Sequence, residues 1–289
     1  MEGLLKIIKM GVYASIQDQG RFSYRRFGVP QSGPMDRVSH YYGNYILGNI
    51  VNSPSLEIFV GGFKFQALQD NTYVITGPNA ECYVNGELIP LWKAFELKKD
   101  DCLEIKRIID GNIIYLSALG GFANELILGS RSTYDLANMG LECREGTILN
   151  RLNNVEKCEI RGLYPKYIPN YSKNKIRVYK GPHFDLFDEE SKELFMKKFQ
   201  YIGGNRMGYY LKGASLKRTC EQDILSEATQ FGSIQVMSNG QPVVLMADSQ
   251  TIGGYPIIAT IVEEDLPIFV QTKMFDEVQF EIVGELNGY

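Results

Sequence analysis

Short apolar runs of four to six residues, rich in β-branched and aromatic side chains, recur between glycines, asparagines, aspartates and prolines. The clearest are Tyr73–Thr76, Ile113–Leu116, Val243–Met246, Ile257–Val262, Leu266–Gln271 and Val278–Val283. Runs of this length with these bounding residues predict strands. Too few helical stretches separate them for a parallel α/β sheet. The expected fold is therefore mainly antiparallel β, as barrels or strongly curved sheets with a few short helices. Two stretches change period. Pro34 to Gly48 sets Val38, Tyr41, Tyr42, Tyr45 and Ile46 at helical spacing, with Ser32 or Gly33 available as cap and Gly48 as stop. Asp185 to Phe199 places Leu186, Leu194, Phe195 and Phe199 on one face, acids early and lysines late, as a helix dipole favours.

The polar, proline-bearing stretch from Tyr164 to Lys175 has no apolar alternation. It predicts two β-rich parts, residues 1–165 and 175–289, joined by a linker over 166–174. Both parts hold an apolar strand followed by paired glycines, at Gly120-Gly121 and Gly253-Gly254, which suggests two related barrels. The length of 289 residues is consistent with two domains.

Charge and composition narrow the chemistry. Thirty basic against 34 acidic residues disfavour a nucleic-acid binder. His40 and His183 are too few and too far apart for a His-rich metal site, and there is no H-E-x-x-H, C-x-x-C or Walker A loop. Cys82, Cys102, Cys143, Cys158 and Cys220 are odd in number and lack framework spacing, which points to a reducing compartment. No apolar segment is long enough to cross a membrane as a helix. A cytoplasmic protein is expected.

Five polar constellations could carry chemistry. In Gln17-Asp18-Gln19-Gly20-Arg21 a tight turn could bring carboxylate and guanidinium together to orient an amide or carboxylate, or could be a structural ion pair. Gly28 to Asp36 could present backbone N–H groups to an anion, or simply cap a helix. Gly129-Ser130-Arg131-Ser132-Thr133 could cradle phosphate, or be a hydrogen-bonded turn. Gly203-Gly204-Asn205-Arg206-Met207-Gly208 suits an exposed binding loop, or a braced turn. Between Ser226 and Tyr255, the polar residues Gln235, Gln241, Asp248, Gln250 and Thr251 interrupt apolar strands; they line a polar cleft or the solvent face of alternating strands.

Taken in order, these blocks resemble the biotin-dependent carboxyltransferase family. That family includes the C subunit of 5-oxoprolinase, also described as allophanate hydrolase subunit 2 or KipA, and the carboxyltransferase domain of urea carboxylase. The resemblance rests on SIQDQGR (Ser15–Arg21), GVPQSGPMD (Gly28–Asp36), LGN (Leu47–Asn49), Leu56-Glu57 and GSRST (Gly129–Thr133). It continues through NRMGYYL (Asn205–Leu211), GSIQV (Gly232–Val236), NGQPVVLMADSQTIGGYP (Asn239–Pro256), Asp265 and Gln271. The chain departs from the family where Thr272 to Asp276 replaces a Pro-Gly-Asp turn, and where Tyr134 to Gly146 is sparse in glycine and arginine.

The resemblance implies two cyclophilin-like β domains and work on amides such as 5-oxoproline or urea. It also implies two partners within 5-oxoprolinase, a KipI-like one (the B subunit) and a LamB/YcsF-like one (the A subunit), and ATP with Mg²⁺ supplied through that complex. No lysine stands between two methionines, so covalent biotin is not expected on this chain. Chemistry and resemblance together assign Arg21 or Arg206 to a substrate carboxylate and Asp18 or Asp248 to the lactam N–H or proton transfer. Gln17, Gln235 and Gln250 become orienting amides, with Asp36, Asn205, Gln241, Thr251 and Tyr255 also at the substrate. Arg131, Ser132, Gly253 and Gly254 fall near phosphate. The alternatives are a carboxyltransferase or hydrolase component acting on urea or allophanate, and a non-catalytic regulator of a KipI-like protein.

Overall fold

A computed structural model describes residues 2–155, 159–219 and 224–285. Cys158 and Cys220 lie outside them. The chain forms two compact units. The first contains residues up to Phe22 and Ser32–Tyr171; the second contains Ser23–Gln31 and the residues from Ser172 onward. The expected linker therefore contributes Tyr171 and the residues before it to the first unit. The short insert Ser23–Gln31 belongs to the second, which no feature of the sequence anticipates.

In chain order the first unit holds β1 (Gly3–Lys9), β2 (Tyr13–Gln17), α1 (Arg37–Ile46), β3 (Ser55–Phe59), β4 (Phe63–Ala67), β5 (Asn71–Thr76), β6 (Ala80–Val84), β7 (Glu87–Leu88), β8 (Phe95–Leu97), β9 (Cys102–Ile108), β10 (Ile113–Ala118) and β11 (Ile148–Asn150). They build a six-stranded sheet ordered β11-β1-β4-β9-β6-β7 and a five-stranded sheet ordered β2-β3-β10-β5-β8. Every pairing is antiparallel. Alternate residues of both sheets, among them Leu5, Ile7, Phe65 and Ile105 from one and Ile16, Ile58 and Leu116 from the other, meet in one core. β10 is buried at all six positions because α1 covers the face that the core does not; Thr76 in neighbouring β5 donates from its hydroxyl to the Ser39 carbonyl of that helix at 2.7 Å.

The second unit is a closed barrel. Its elements are β12 (Lys175–Lys180), α2 (Glu189–Phe195), β13 (Lys198–Asn205), β14 (Gly208–Lys212), β15 (Glu227–Ala228), β16 (Ser233–Val236), β17 (Pro242–Leu245), β18 (Ile252–Gly253), β19 (Ile257–Ile261), α3 (Leu266–Phe269) and β20 (Glu277–Glu285). The ring runs β12-β19-β16-β17-β14-β13-β20 and closes through the parallel pair β12–β20. Closure leaves no free edge among these seven strands. β15 and β18 form a separate two-stranded ribbon.

Three expected elements differ. Helix α1 begins at Arg37 because Asp36, rather than Ser32 or Gly33, caps it, accepting from the Ser39 N–H at 2.9 Å. Ser32 and Gly33 instead have left-handed backbone, φ 58° and 86°, and turn the chain ahead of it. The second predicted helix stops at Phe195, and Phe199 lies in β13 opposite Val278. Phe195 and Phe199 still share a cluster, their ring centroids 5.1 and 6.2 Å from that of Phe280, so the apolar periodicity was real while the backbone changed form. Leu266 to Phe269 is a helical turn rather than a strand. Pro267 in its first turn has no N–H for a ladder and a φ suited to a helix start.

Candidate functional site

In the first unit three sequence motifs converge. β2 ends at Gln17, and the next carboxylate, Asp18, is 2% exposed. Its Oδ1 accepts from the Gly20 N–H at 2.9 Å, the Ser130 hydroxyl at 2.5 Å and the Ser132 hydroxyl at 2.7 Å, and its Oδ2 from the Arg131 N–H at 2.6 Å. Gln17 donates from Nε2 to the Thr133 carbonyl at 3.2 Å, and the buried Arg21 guanidinium donates to the Ser132 carbonyl. The Thr133 N–H closes the set on Ile16. Thus the turn Gln17–Arg21 grips the backbone and hydroxyls of Ser130–Thr133 from both polarities. Gly33 fits against the same turn, since a Cβ there would lie 2.9 Å from the Gln19 carbonyl oxygen at a φ that side chains disfavour.

What remains outward in this cluster is Arg131. Its Nη1 donates to the Asn124 carbonyl, whose own side-chain amide returns a bond to the Arg131 carbonyl at 2.7 Å. Among the described residues no carboxylate pairs with the Arg131 guanidinium, while Asp18 accepts from its backbone N–H.

Asp36 serves a neighbouring network. It accepts from the Ser39 N–H and hydroxyl and from the Tyr171 hydroxyl, at 2.9, 2.7 and 3.0 Å. Its own N–H donates to the Tyr115 hydroxyl, which donates in turn to buried Glu57 at 2.5 Å. Burial and the Glu57 carboxylate push the Tyr115 phenol well up, so it stays protonated as the donor. Tyr115 and Tyr171 escaped sequence reasoning, and His40 was weighed there only as a metal ligand. Asp36 was the member of this network that the sequence singled out, while Glu57, in the strand Ser55–Phe59, stood there only among the residues of the resemblance.

His40, 1% exposed, lies with Nε2 3.1 Å from the Gln17 carbonyl oxygen and edge-on to Tyr115. Burial pushes its pKa down to about 4, against the pull of the Asp18 carboxylate and the backbone carbonyls of Gln17 and Ser53. A neutral imidazole donating from Nε2 fits that place. In the unfolded chain the same group titrates near 6.5. Because folding lowers the pKa, the stabilisation is full above ~6.5 and is lost as pH falls toward ~4. Between pH 7 and 4.5 the wild type should lose about 2 kcal/mol more than His40→Gln in urea unfolding. Equal losses would show that folding leaves the His40 pKa unshifted. Cys82 and Cys143, both buried, are pushed up to about 12 by desolvation and so are poor nucleophiles.

In the second unit Arg206 and Asp248 form a two-pronged pair, Nε to Oδ2 at 2.7 Å and Nη2 to Oδ1 at 3.1 Å, with side chains 6% and 8% exposed. The Asp248 N–H also donates to the Arg206 carbonyl at 2.7 Å, so the turn after β13 and the segment after β17 are locked together. Gln250 donates from Nε2 to Gln235 Oε1, and Gln235 donates from Nε2 to the Tyr255 carbonyl, each at 3.2 Å. Thr251 is nearly buried, and its carbonyl accepts from the Thr229 N–H at 3.1 Å. Gly253 pairs with Glu227 in the ribbon, and Gly254 follows it. Asn205 and Gln241 make bonds of their own. Asn205 accepts from the Met207 N–H within its own turn, and Gln241 holds the backbone of Gly213 at 2.9 and 3.3 Å.

Among the described residues no three His, Cys, Asp or Glu side chains are grouped to hold a metal ion, and no helix is long and apolar enough to cross a membrane. The family model for the carboxyltransferase domain, subdomains A and B, matches residues 27–282. The chain belongs to the carboxyltransferase domain family. Among its relatives, the C subunit of Haemophilus influenzae 5-oxoprolinase is 34% identical over 288 residues, covering 97% of this chain and 92% of that protein. The urea amidolyase of Saccharomyces cerevisiae is 31% identical over 301 residues, covering 96% of this chain but 16% of that protein. Among solved structures of carboxyltransferase domains, the Kluyveromyces lactis urea carboxylase superposes with a TM-score of 0.91 at 29% identity. That match covers 97% of this chain and 27% of the carboxylase, so the chain spans about a quarter of that enzyme's length.

Proposed function

We propose that this chain is the component of an ATP-dependent 5-oxoprolinase that binds the lactam and presents it for phosphorylation. It works in the cytoplasm with a KipI-like subunit and a LamB/YcsF-like subunit. The observation that supports this reading is 34% identity, over 97% of this chain, with a protein named as the C subunit of 5-oxoprolinase, against 31% with urea amidolyase.

The lactam resists water because its amide is resonance-stabilised. Attack of the lactam oxygen on the γ-phosphorus of ATP expels ADP and leaves a ring carbon that water can attack; loss of phosphate and C–N cleavage then give glutamate. Such a reaction needs cations facing phosphate and groups that orient the amide. Arg131, held by its backbone to Asp18 and carrying no carboxylate partner among the described residues, suits phosphate, with Mg²⁺ arriving on ATP. Asp18 and Asp248 act by holding Ser130–Ser132 and Arg206 in place, since proton transfer would strip a buried loop or a buried arginine of its acceptor. Arg21 and Ser132 belong to the same clamp.

ATP hydrolysis by the three assembled subunits, with and without 5-oxoproline, tests the reading. Glutamate should form one-for-one with ADP and cease when this chain is omitted. Absence of 5-oxoproline-dependent turnover from a folded, assembled complex would refute it; avidin-sensitive turnover of urea would then favour the carboxylase relatives' chemistry.

A further inference from the structure

The three bonded amides of the second unit have a fixed polarity. The Tyr255 carbonyl can only accept, so Gln235 must turn its Nε2 toward it and its Oε1 away. That oxygen accepts from Gln250, so Gln250 must place its Nε2 inward. Gln250 Oε1 is then left as the outer end of the chain, on an exposed residue. Rotating either amide by half a turn would set oxygen against oxygen or N–H against N–H. Aligned hydrogen bonds of this kind also polarise one another, which strengthens the terminal acceptor.

The surrounding backbone holds this arrangement. Thr229 donates to the Gln250 carbonyl from its hydroxyl and to the Thr251 carbonyl from its N–H, and Glu227 pairs with Gly253. A Cβ at Gly253 would stand 2.6 Å from Gln235 Nε2, so a side chain there would push that amide aside. Built in this way, the surface amide is a directed acceptor rather than a freely rotating one.

We infer that Gln250 Oε1 is the specificity-determining acceptor for a ring N–H of the substrate, so that this protein selects a lactam over the corresponding lactone. The inference rests on the 5-oxoprolinase reading and deepens it. An N–H meets the acceptor; a ring oxygen in its place sets two lone pairs against each other, and sites built to bond a polar hydrogen reject analogues that lack it.

The assembled enzyme and two ring compounds test it: 5-oxoproline, and tetrahydro-5-oxofuran-2-carboxylate as a competitive inhibitor. Gln250→Leu should raise KM for 5-oxoproline about tenfold while the lactone's inhibition constant stays within about twofold. Gly253→Ala, which displaces Gln235, should erode the same preference. A rise of both constants together, or of neither, in an enzyme whose wild type turns over 5-oxoproline, overturns the inference and leaves the reading intact. If the wild type shows no such turnover, the reading fails, and the inference is decided on the isolated chain through the ¹⁵N-labelled Gln250 side-chain amide. A response to 5-oxoproline that exceeds the response to the lactone supports it; equal responses, or none, overturn it.

Discussion

Asp18→Ala should destabilise the first unit by about 4 kcal/mol, with the loss read as a fall in the urea midpoint. Four donors end on this carboxylate: the hydroxyls of Ser130 and Ser132 and the N–H groups of Gly20 and Arg131. Asp18 and its hydroxyl partners are buried, so alanine strands them without water to replace the lost acceptor. Each stranded donor costs about 1–3 kcal/mol, and neighbours in one network add less than their sum. Asp18→Asn should cost roughly half as much. Its amide oxygen can keep the three donors on Oδ1, while its NH₂ faces the Arg131 N–H, donor against donor. Hydrogen exchange at Ser130–Thr133 should quicken in the alanine variant. A loss below about 1 kcal/mol with unchanged exchange would show that the loop holds itself.

Arg206→Ala and Asp248→Ala should each cost the barrel about 3–5 kcal/mol, because either breaks a two-pronged buried charge pair. Replacing both together, as Arg206→Met with Asp248→Leu, should recover most of that stability, since an apolar pair of similar volume avoids desolvating two ions. The double variant also separates fold from function. Restored stability with restored turnover confines the pair to the architecture. Restored stability without turnover means that the guanidinium itself meets a substrate.

Much of the β architecture was readable because its central strands are buried. Ile113–Leu116 and Val243–Leu245 carry uninterrupted apolar side chains for that reason, and no helix of such length would end in the turn residues that flank them. Two of the three errors have one physical source. An apolar run specifies burial, not backbone form, so Leu266–Phe269 satisfied the pattern of a strand while Pro267 dictated a helical turn. Phe199 likewise kept its buried place against Phe280 from a strand instead of a helix.

The site was legible as a set of residue types and not as a set of roles. Gln17–Arg21 and Ser130–Thr133 stood out as polar, glycine-marked turns, yet 112 residues separate Asp18 from Ser130. Only the fold reveals that one is the acceptor of the other. Asp18 looked like a base because a carboxylate beside an arginine permits that chemistry; its saturation by four donors is invisible in one dimension. Glu57 stood only among the residues of the resemblance, and its partner Tyr115 resembled any buried aromatic.

The insert Ser23–Gln31 constrains how such a chain can be divided. The path passes from the first unit to the second at Phe22–Ser23, returns at Gln31–Ser32 and crosses finally at Tyr171–Ser172. One protease cut at the last junction would yield a nicked molecule whose two units still share covalent links. A gene broken at the same point would encode a barrel lacking nine of its own residues, including Arg25, whose guanidinium donates to the Thr229 carbonyl. Recombination at a single breakpoint therefore cannot exchange one unit without carrying or leaving part of the other.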